Sequence, residues 1–506
     1  MTISALASAG GTLVLAGVTV ASVRSANRAA RVAEQSLLAG QRPLLVPSRT
    51  EDPAVKVGFQ DGVWFSVPGG QGIAQATDEA DYFVISVRNV GTGIAVLHGW
   101  HLLPELVFER SLPRYAAARV VSSLGSGRGV SVAPLRLTDL DPPTLPGPGW
   151  RRVRPRLAGI CGSDLTTLYG RSSRYFEPIV SMPFVPGHEV VGDIDDDGGG
   201  RVVIEPVLGC LARGVEPPCP ACAVGDTGGC ERVAFGHIKA GLQTGYCADT
   251  GGGWSDGLVA HASQLHPVPD GLSDEAAVMV EPAACAVHAA LAAGVTEGSN
   301  VVVLGAGTLG LCTIAALRQL ALPGTLVAGA KHPAQRRLAS ALGADLVVDP
   351  PEVPRAVRRL TRSLAAGAQL TGGADVVLDC VGSADSIEDA MSIVRPRGRV
   401  MLVGMPGTAR LDLTPLWHRE ISLTGAYAYG RETAGGNGRP GAPRTFELAF
   451  ELVVQAGLER LVSARYPLDR FHEAVEHAGA AGRRGATKVV FDLRDQPRWR
   501  TAETAR

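Results

Sequence analysis

The chain lacks any appreciable charge imbalance: 48 Lys and Arg stand against 49 Asp and Glu, a formal net charge of −1 over 506 residues. That balance excludes the broad basic field that draws a protein onto nucleic acid. Charged residues make up only 19% of the sequence and apolar residues 45%, which excludes a disordered chain and describes an ordinary globular one. Cysteine is sparse and unevenly placed. There are nine, an odd number, and Cys210, Cys219, Cys222 and Cys230 crowd one stretch rich in Gly and Pro. This pattern argues against a disulfide framework and for a metal held in a reducing compartment. A chain of this length should hold two or three domains.

Charge is also missing locally. No charged residue occurs from Ile3 to Val23, and about 20 apolar residues suffice to span a bilayer. Residues 1–40 therefore read as a membrane anchor and helix. Arg24, Arg28 and Arg31 follow at once and would hold the far side in the cytoplasm. A secretory signal carries its positive charges ahead of the apolar core, whereas here they come after it. A buried N-terminal helix, or a start assigned too far upstream, is the alternative. Residues 41–112 alternate short apolar runs with Gly, Asp and Pro, the pattern of a small β-rich domain. It carries no acid, base or metal cluster, and His98 and His101 read as ordinary histidines.

What is present is a stretch around which the rest is organised. Val301 to Val303 form a β-branched run, followed by Gly305, Gly307 and Gly310 in G-x-G-x-x-G spacing and then an apolar helical run. Gly305 permits a tight turn, Gly307 a close approach of backbone to a pyrophosphate, and Gly310 close packing of helix on strand. The pyrophosphate would sit at the helix N-terminus, where free N–H groups favour an anion. Strand and helix patterns alternate onward from here, which predicts a doubly wound parallel sheet over residues 294–440. Residues 113–293 read as a β-rich lobe ahead of it, and residues 441–495 as a return to that lobe through the strand pattern ATKVVFDL.

Two constellations carry metal chemistry. Cys161 in GICGSD, His188 in PGHEVVG and Glu281 in VEPAACAVHA supply a thiolate, an imidazole and a carboxylate. Three protein ligands with one replaceable position make an open, catalytic zinc site. Glu189 is either a fourth ligand or a group that orients the metal from behind. The second constellation is Cys210, Cys219, Cys222 and Cys230, a closed structural zinc site. Glu216 lies closer to the pair than Cys210 does and could replace it, although zinc in such sites prefers sulfur. Cys247, Cys285, Cys312 and Cys380 read as small apolar packing residues.

In this order the motifs GICGSD, PGHE, the cysteine loop, VEPAACAVHA and VVVLGAGTLG resemble the zinc-dependent medium-chain dehydrogenase/reductase family. The resemblance is to its polyol, threonine and glucose dehydrogenase branch, and it covers Pro113 to Leu493. It implies an α/β fold: a GroES-like β-rich catalytic lobe and a Rossmann domain, with the active site between them and an N-terminal extension outside the family pattern. It further implies a homo-oligomer, dimer or tetramer, acting on a small alcohol, polyol or sugar. In the implied reaction zinc acts as a Lewis acid on the substrate hydroxyl while hydride passes to a nicotinamide placed near Val381, Gly382 and Gly404. Ser163 is the candidate for the first proton relay, and Asp164 holds its loop. Tyr169, Trp254 and Tyr427 are expected near the substrate. A zinc-free enone or quinone reductase, or a non-catalytic membrane-tethered scaffold, would need none of these ligands.

The cofactor expectation rests on the end of the second strand of the sheet. An NAD site places an acid there for the ribose 2′-OH, but Ala330 occupies the position, with Lys331, His332, Arg336 and Arg337 after it. Missing acid and added cations favour a 2′-phosphate, hence NADP over NAD. A solvated cationic helix face is the alternative.

Overall fold

The computed structural model describes residues 143–495 apart from 196–198, 368 and 433–441, together with short segments between residues 45 and 141. The expected anchor over residues 1–40 lies outside the described residues, as do His98 and His101. The chain divides after Pro104 into two compact units. In the first, antiparallel ladders pair Leu45–Pro47 with Val87–Asn89, Val55–Gly58 with Trp64–Val67, and Gly72–Ala76 with Asp81–Ile85.

The second unit holds a short hairpin, Tyr115–Val120 with Leu135–Leu140, and two large sheets. The first large sheet has seven strands and is built on Trp150–Gly159. Within that strand Val153, Pro155 and Leu157 are buried while Arg154 and Arg156 between them are half-buried, the two-residue period of a half-buried strand. Val190–Ile194 pairs on one side, Leu258–His261 and Lys488–Asp492 on the other. Pro155 cannot donate to the ladder, and it falls where the register shifts at Val191 and Gly192, a bulge position that tolerates it. The C-terminal strand thus returns to the lobe, as its pattern predicts.

The other sheet has six strands, all parallel: Leu346–Val348, Thr325–Gly329, Asn300–Leu304, Ala374–Asp379, Val394–Leu402 and Ser422–Gly425, in that spatial order. In order of sequence this is 3-2-1-4-5-6, the doubly wound arrangement whose ligand crevice opens at the carboxyl ends of the central strands. Val301, Val302 and Val303 are fully buried, as a strand covered on both faces requires.

Between the sheets runs Val280–Ala292, preceded by the turn Asp274–Ala277. The stretch is long and apolar enough to cross a membrane, but its apolar window is 78% buried within this fold, the state of a core helix. Its small side chains Ala283, Ala286 and Ala290 let the helices Thr308–Ala316 and Thr445–Ala456 approach closely. The resulting core joins Leu157, Val191 and Val203 of the lobe to Val301, Val303 and Leu378 of the parallel sheet.

Candidate active site

Cys161 caps the helix Gly162–Leu168. Its amide donates to Asp164 Oδ2 at 2.9 Å, and the other oxygen of Asp164 lies 3.3 Å from His188 Nδ1. One buried carboxylate therefore tethers the loop and stands beside the ring, and His188 Nε2 lies 3.4 Å from Ser163 Oγ. Burial opposes charge on His188, but the neighbouring Asp164 prevails and lifts its pKa well above the ordinary value. Cys161 Sγ, a ring nitrogen of His188 and a carboxylate oxygen of Glu189 lie within 4.8 Å of one another. A Cβ at Gly159 would stand 1.9 Å from Glu189 Oε2, so only glycine there admits the carboxylate.

Glu189 has a partner that no motif announced. Lys488 Nζ donates to its Oε1 at 2.6 Å, with the two side chains 2% and 1% exposed. Burial would discharge the lysine, but Glu189 and then Cys161 hold its pKa above the usual value. A lone Lys inside the apolar run of ATKVVFDL was the available sign.

Glu281 stands outside the three-residue cluster and faces it. Its Oε1 accepts from Tyr429 OH at 2.7 Å, and the Cys285 thiol lies 3.7 Å away. Burial, with Glu189 nearby, raises the Glu281 pKa against the opposing pull of His188.

A cavity of about 820 Å³ connects these groups to the glycine-rich turn. Cys161, Ser163, His188, Glu189 and Glu281 line one part, and Gly307, Gly310, Val381 and Gly404 another. Gly305 has φ +90°, a Cβ at Gly310 would lie 1.8 Å from Gly305 O, and one at Gly307 would meet nothing within 4 Å. Gly305 thus has the backbone conformation of the expected turn and Gly310 the expected close packing, while Gly307 faces open space. Gly382 does not line the cavity; a Cβ there would strike Gly404 O at 2.7 Å, so it packs the two loops together. Buried Asp379, unremarked in the sequence, accepts from Val381 N at 2.9 Å and from Ser386 Oγ at 2.9 Å and so shapes that rim.

Lys331 and Arg336 are absent from the lining. Lys331 is exposed, whereas Arg336 donates to Ala330 O at 3.0 Å and pairs with Asp349. The cationic cradle expected for a 2′-phosphate is thus half occupied from within. Two of the three expected pocket aromatics also differ. Tyr427 lines the cavity, but Trp254 is fully buried behind it, donating to Gly159 O at 3.2 Å, and Tyr169 is outside the lining. Trp254 belongs to the lobe's core, whereas Tyr169 is half-buried with the Arg171 guanidinium over its ring. Cys247 and Cys312 are buried packing residues, and Cys285 and Cys380 pack against the main core while also lining the cavity.

The second cluster is compact. The sulfurs of Cys210, Cys219, Cys222 and Cys230 lie within 4.8 Å of one another. Cys210 Sγ accepts from Cys219 N at 3.4 Å, Cys219 Sγ from Cys222 N at 3.5 Å, Cys222 Sγ from Cys210 N at 3.5 Å, and Cys230 Sγ from Arg232 N at 3.4 Å. A thiol hydrogen bond from Cys222 lowers Cys230 below the ordinary range. Glu216 is exposed and stands outside the group; Cys210 has the place beside the other three.

Comparison with known proteins agrees with this geometry. The description "Alcohol dehydrogenase GroES-like domain" matches residues 147–270 and "Zinc-binding dehydrogenase" matches residues 308–436. A sorbitol dehydrogenase of Arabidopsis thaliana is 29% identical over 366 residues, 69% of this chain and 89% of that one. An uncharacterized zinc-type alcohol dehydrogenase-like protein of Haemophilus influenzae is 30% identical over 295 residues, 55% of this chain and 74% of its own. A zinc-binding dehydrogenase of Sinorhizobium meliloti 1021, solved bound to NADP, superposes with a TM-score of 0.56 at 24% identity. That superposition covers 75% of this chain and 99% of the other.

Proposed function

The chain belongs to the zinc-dependent medium-chain dehydrogenases, oxidoreductases that use NAD(P), and from that premise we propose that it oxidises a secondary alcohol, and runs the reverse reduction, in the cavity described above. The observation that carries this reading is the continuity of one cavity from a thiol–imidazole–carboxylate cluster to a glycine-rich strand–helix turn. The donor set fits zinc, which takes sulfur, nitrogen and oxygen ligands in this combination at open sites. Cys161, His188, Glu189 and Glu281 are the residues that would hold it. Bound there, zinc would supply Lewis acidity toward the substrate hydroxyl.

The remaining roles belong to the chain itself. Asp164 keeps His188 in one orientation from Nδ1, as buried carboxylates do for ligating histidines. Lys488 neutralises Glu189 in a place where a bare carboxylate would be costly. Ser163, beside His188 Nε2, is placed to take the hydroxyl proton first. The turn Gly305–Gly310 would receive the pyrophosphate at the N-terminus of Thr308–Ala316, and Val381 and Gly404 would wall the nicotinamide. Cys210, Cys219, Cys222 and Cys230 would hold a second, structural zinc. NADP remains the proposed preference, resting on the missing acid at Ala330 and on Lys331 now that Arg336 is engaged.

A homo-oligomer is the proposed assembly, supported by the edge strand Ser422–Gly425 and by Trp417 and Leu413 nearby, 78% and 55% exposed. Reduced thiolates and a nicotinamide cofactor point to the cytoplasm as its place of work.

The test is spectrophotometric. Full-length protein mixed with a secondary alcohol and NADP or NAD should generate reduced nicotinamide. Dialysis against a chelator should abolish this, and added zinc should restore it. Turnover that survives complete zinc removal would contradict the proposal.

A further inference from the structure

Resting on the dehydrogenase reading of this cavity, we infer that its substrate is an uncharged, largely apolar secondary alcohol, and not a polyol, sugar acid or sugar phosphate. The charge pattern supplies the first reason. Among the described residues that line the cavity the only cationic Lys or Arg is Lys488, and both carboxylate oxygens of Glu189 already bind it. Among the described residues no arginine lines the cavity. A substrate carboxylate or phosphate would therefore lie near Glu189 and Glu281 with no free lysine or arginine among the described lining residues to pair with it, which disfavours binding.

The second reason is the state of the polar lining. Thr166 donates to Gly162 O at 2.9 Å and Thr167 to Ser163 O at 2.9 Å, while Ser172 lies 2.9 Å from Thr167 Oγ1. Thr227 donates to Tyr429 O at 3.2 Å and Tyr429 to Glu281 at 2.7 Å. The protons of these hydroxyls are committed inside the protein, and Gln243, Gln335 and Tyr427 are the lining amides and phenol left to meet a substrate hydroxyl. A polyol brings several hydroxyls that must each exchange water for a partner, and an unpartnered buried one is penalised.

The third reason is the wall itself. The segment from Arg174 to Phe184 presents Phe176, Ile179, Met182 and Phe184 to the cavity, and Leu208 faces it from the other side. At the mouth Tyr175, 75% exposed, meets Phe176 edge to face at 5.6 Å between ring centroids. Such a surface gains from an alkyl or aryl group leaving water, and its aliphatic, thioether and phenyl side chains give a row of hydroxyls no partner.

Steady-state kinetics on the full-length, zinc-loaded protein tests this with 1-phenylethanol, 2-octanol, sorbitol and gluconate under saturating NADP or NAD. The apolar alcohols should exceed sorbitol and gluconate in kcat/KM by about 100-fold or more, the scale on which such pockets discriminate. Sorbitol or gluconate matching or exceeding 1-phenylethanol would overturn the inference. If no alcohol is oxidised, the dehydrogenase reading fails, and calorimetric titration of 1-phenylethanol against sorbitol then decides the pocket's preference separately. Tighter binding of 1-phenylethanol upholds the apolar site; equal or weaker binding overturns it.

Discussion

The two metal-type clusters of this chain are built in opposite ways. Cys210, Cys219, Cys222 and Cys230 come from one short segment, and the main-chain N–H groups that support their sulfurs come from that same segment. The other cluster takes Cys161 from a helix cap, His188 and Glu189 from the approach to a strand, and faces Glu281 on the first turn of a buried helix. Its supports are as scattered: Asp164, Lys488 and Tyr429. A site that only holds the fold together can be written locally. A site that must stay open to a cavity is held by the rest of the fold.

The sharpest way to break that contrast is to remove one ligand from each cluster. Cys161→Ser or His188→Ala should lower hydride transfer by about 10³-fold or more while melting changes little, because an open zinc site serves chemistry more than folding. Cys222→Ser should do the reverse, yielding insoluble protein or a melting point about 10 °C lower or worse, because a closed site contributes folding free energy. Calorimetry and nicotinamide absorbance read both. A fully stable Cys222→Ser protein would remove the distinction.

Next in size is the buried pair. Lys488→Met leaves Glu189 charged and alone, which should cost about 3–5 kcal/mol in denaturant unfolding. Adding Glu189→Gln should recover part of the loss. Equal destabilisation by the single and double variants would mean the pair is not coupled.

These supports also mark where sequence reading reached and where it stopped. The glycine-rich turn, the parallel sheet and the compact cysteine cluster are all local patterns, and they were legible as spacing. Cys161, His188 and Glu281 became legible only as an ordered set of motifs. Lys488 is 299 residues from Glu189 and Tyr429 is 148 from Glu281, and nothing in a local window joins them. Trp254 misled because its motif runs beside the site while its ring turns into the core against Phe491. Arg336 was read as a free cation because Asp349, its partner, lies on the far side of a helix and a strand.

A smaller effect concerns how the cysteine segment is moored. Glu205 lies 3.3 Å from Thr227 Oγ1 and 2.8 Å from His266 Nε2 and pairs with Arg444. Burial pushes its pKa up, but the bond to His266 and the charge of Arg444 prevail and hold it below the ordinary value. Its contribution is therefore full above the unfolded-state pKa and is lost as pH falls through the lower folded one. Glu205→Gln should destabilise the protein at neutral pH by about 1–3 kcal/mol. The gap from the parent should close on acidification below about pH 4. A gap unchanged between pH 7 and pH 3 would contradict this.

The smallest effect is expected at the cofactor edge. Lys331→Ala should raise KM for NADP a few-fold and leave NAD unaffected, and adding Arg336→Ala should change little more, since Asp349 already holds that guanidinium. Equal changes for both cofactors would place Lys331 away from the adenosine ribose.

The central claim is that one chain carries two metal centres and that only the scattered one serves the reaction. Zinc per chain, measured by mass spectrometry on the parent and on soluble His188→Ala, tests it most directly. The account predicts about two zinc ions in the parent and about one in the variant, which should remain folded but lose turnover. A parent without zinc, or a His188→Ala protein that keeps both ions and its activity, would contradict it.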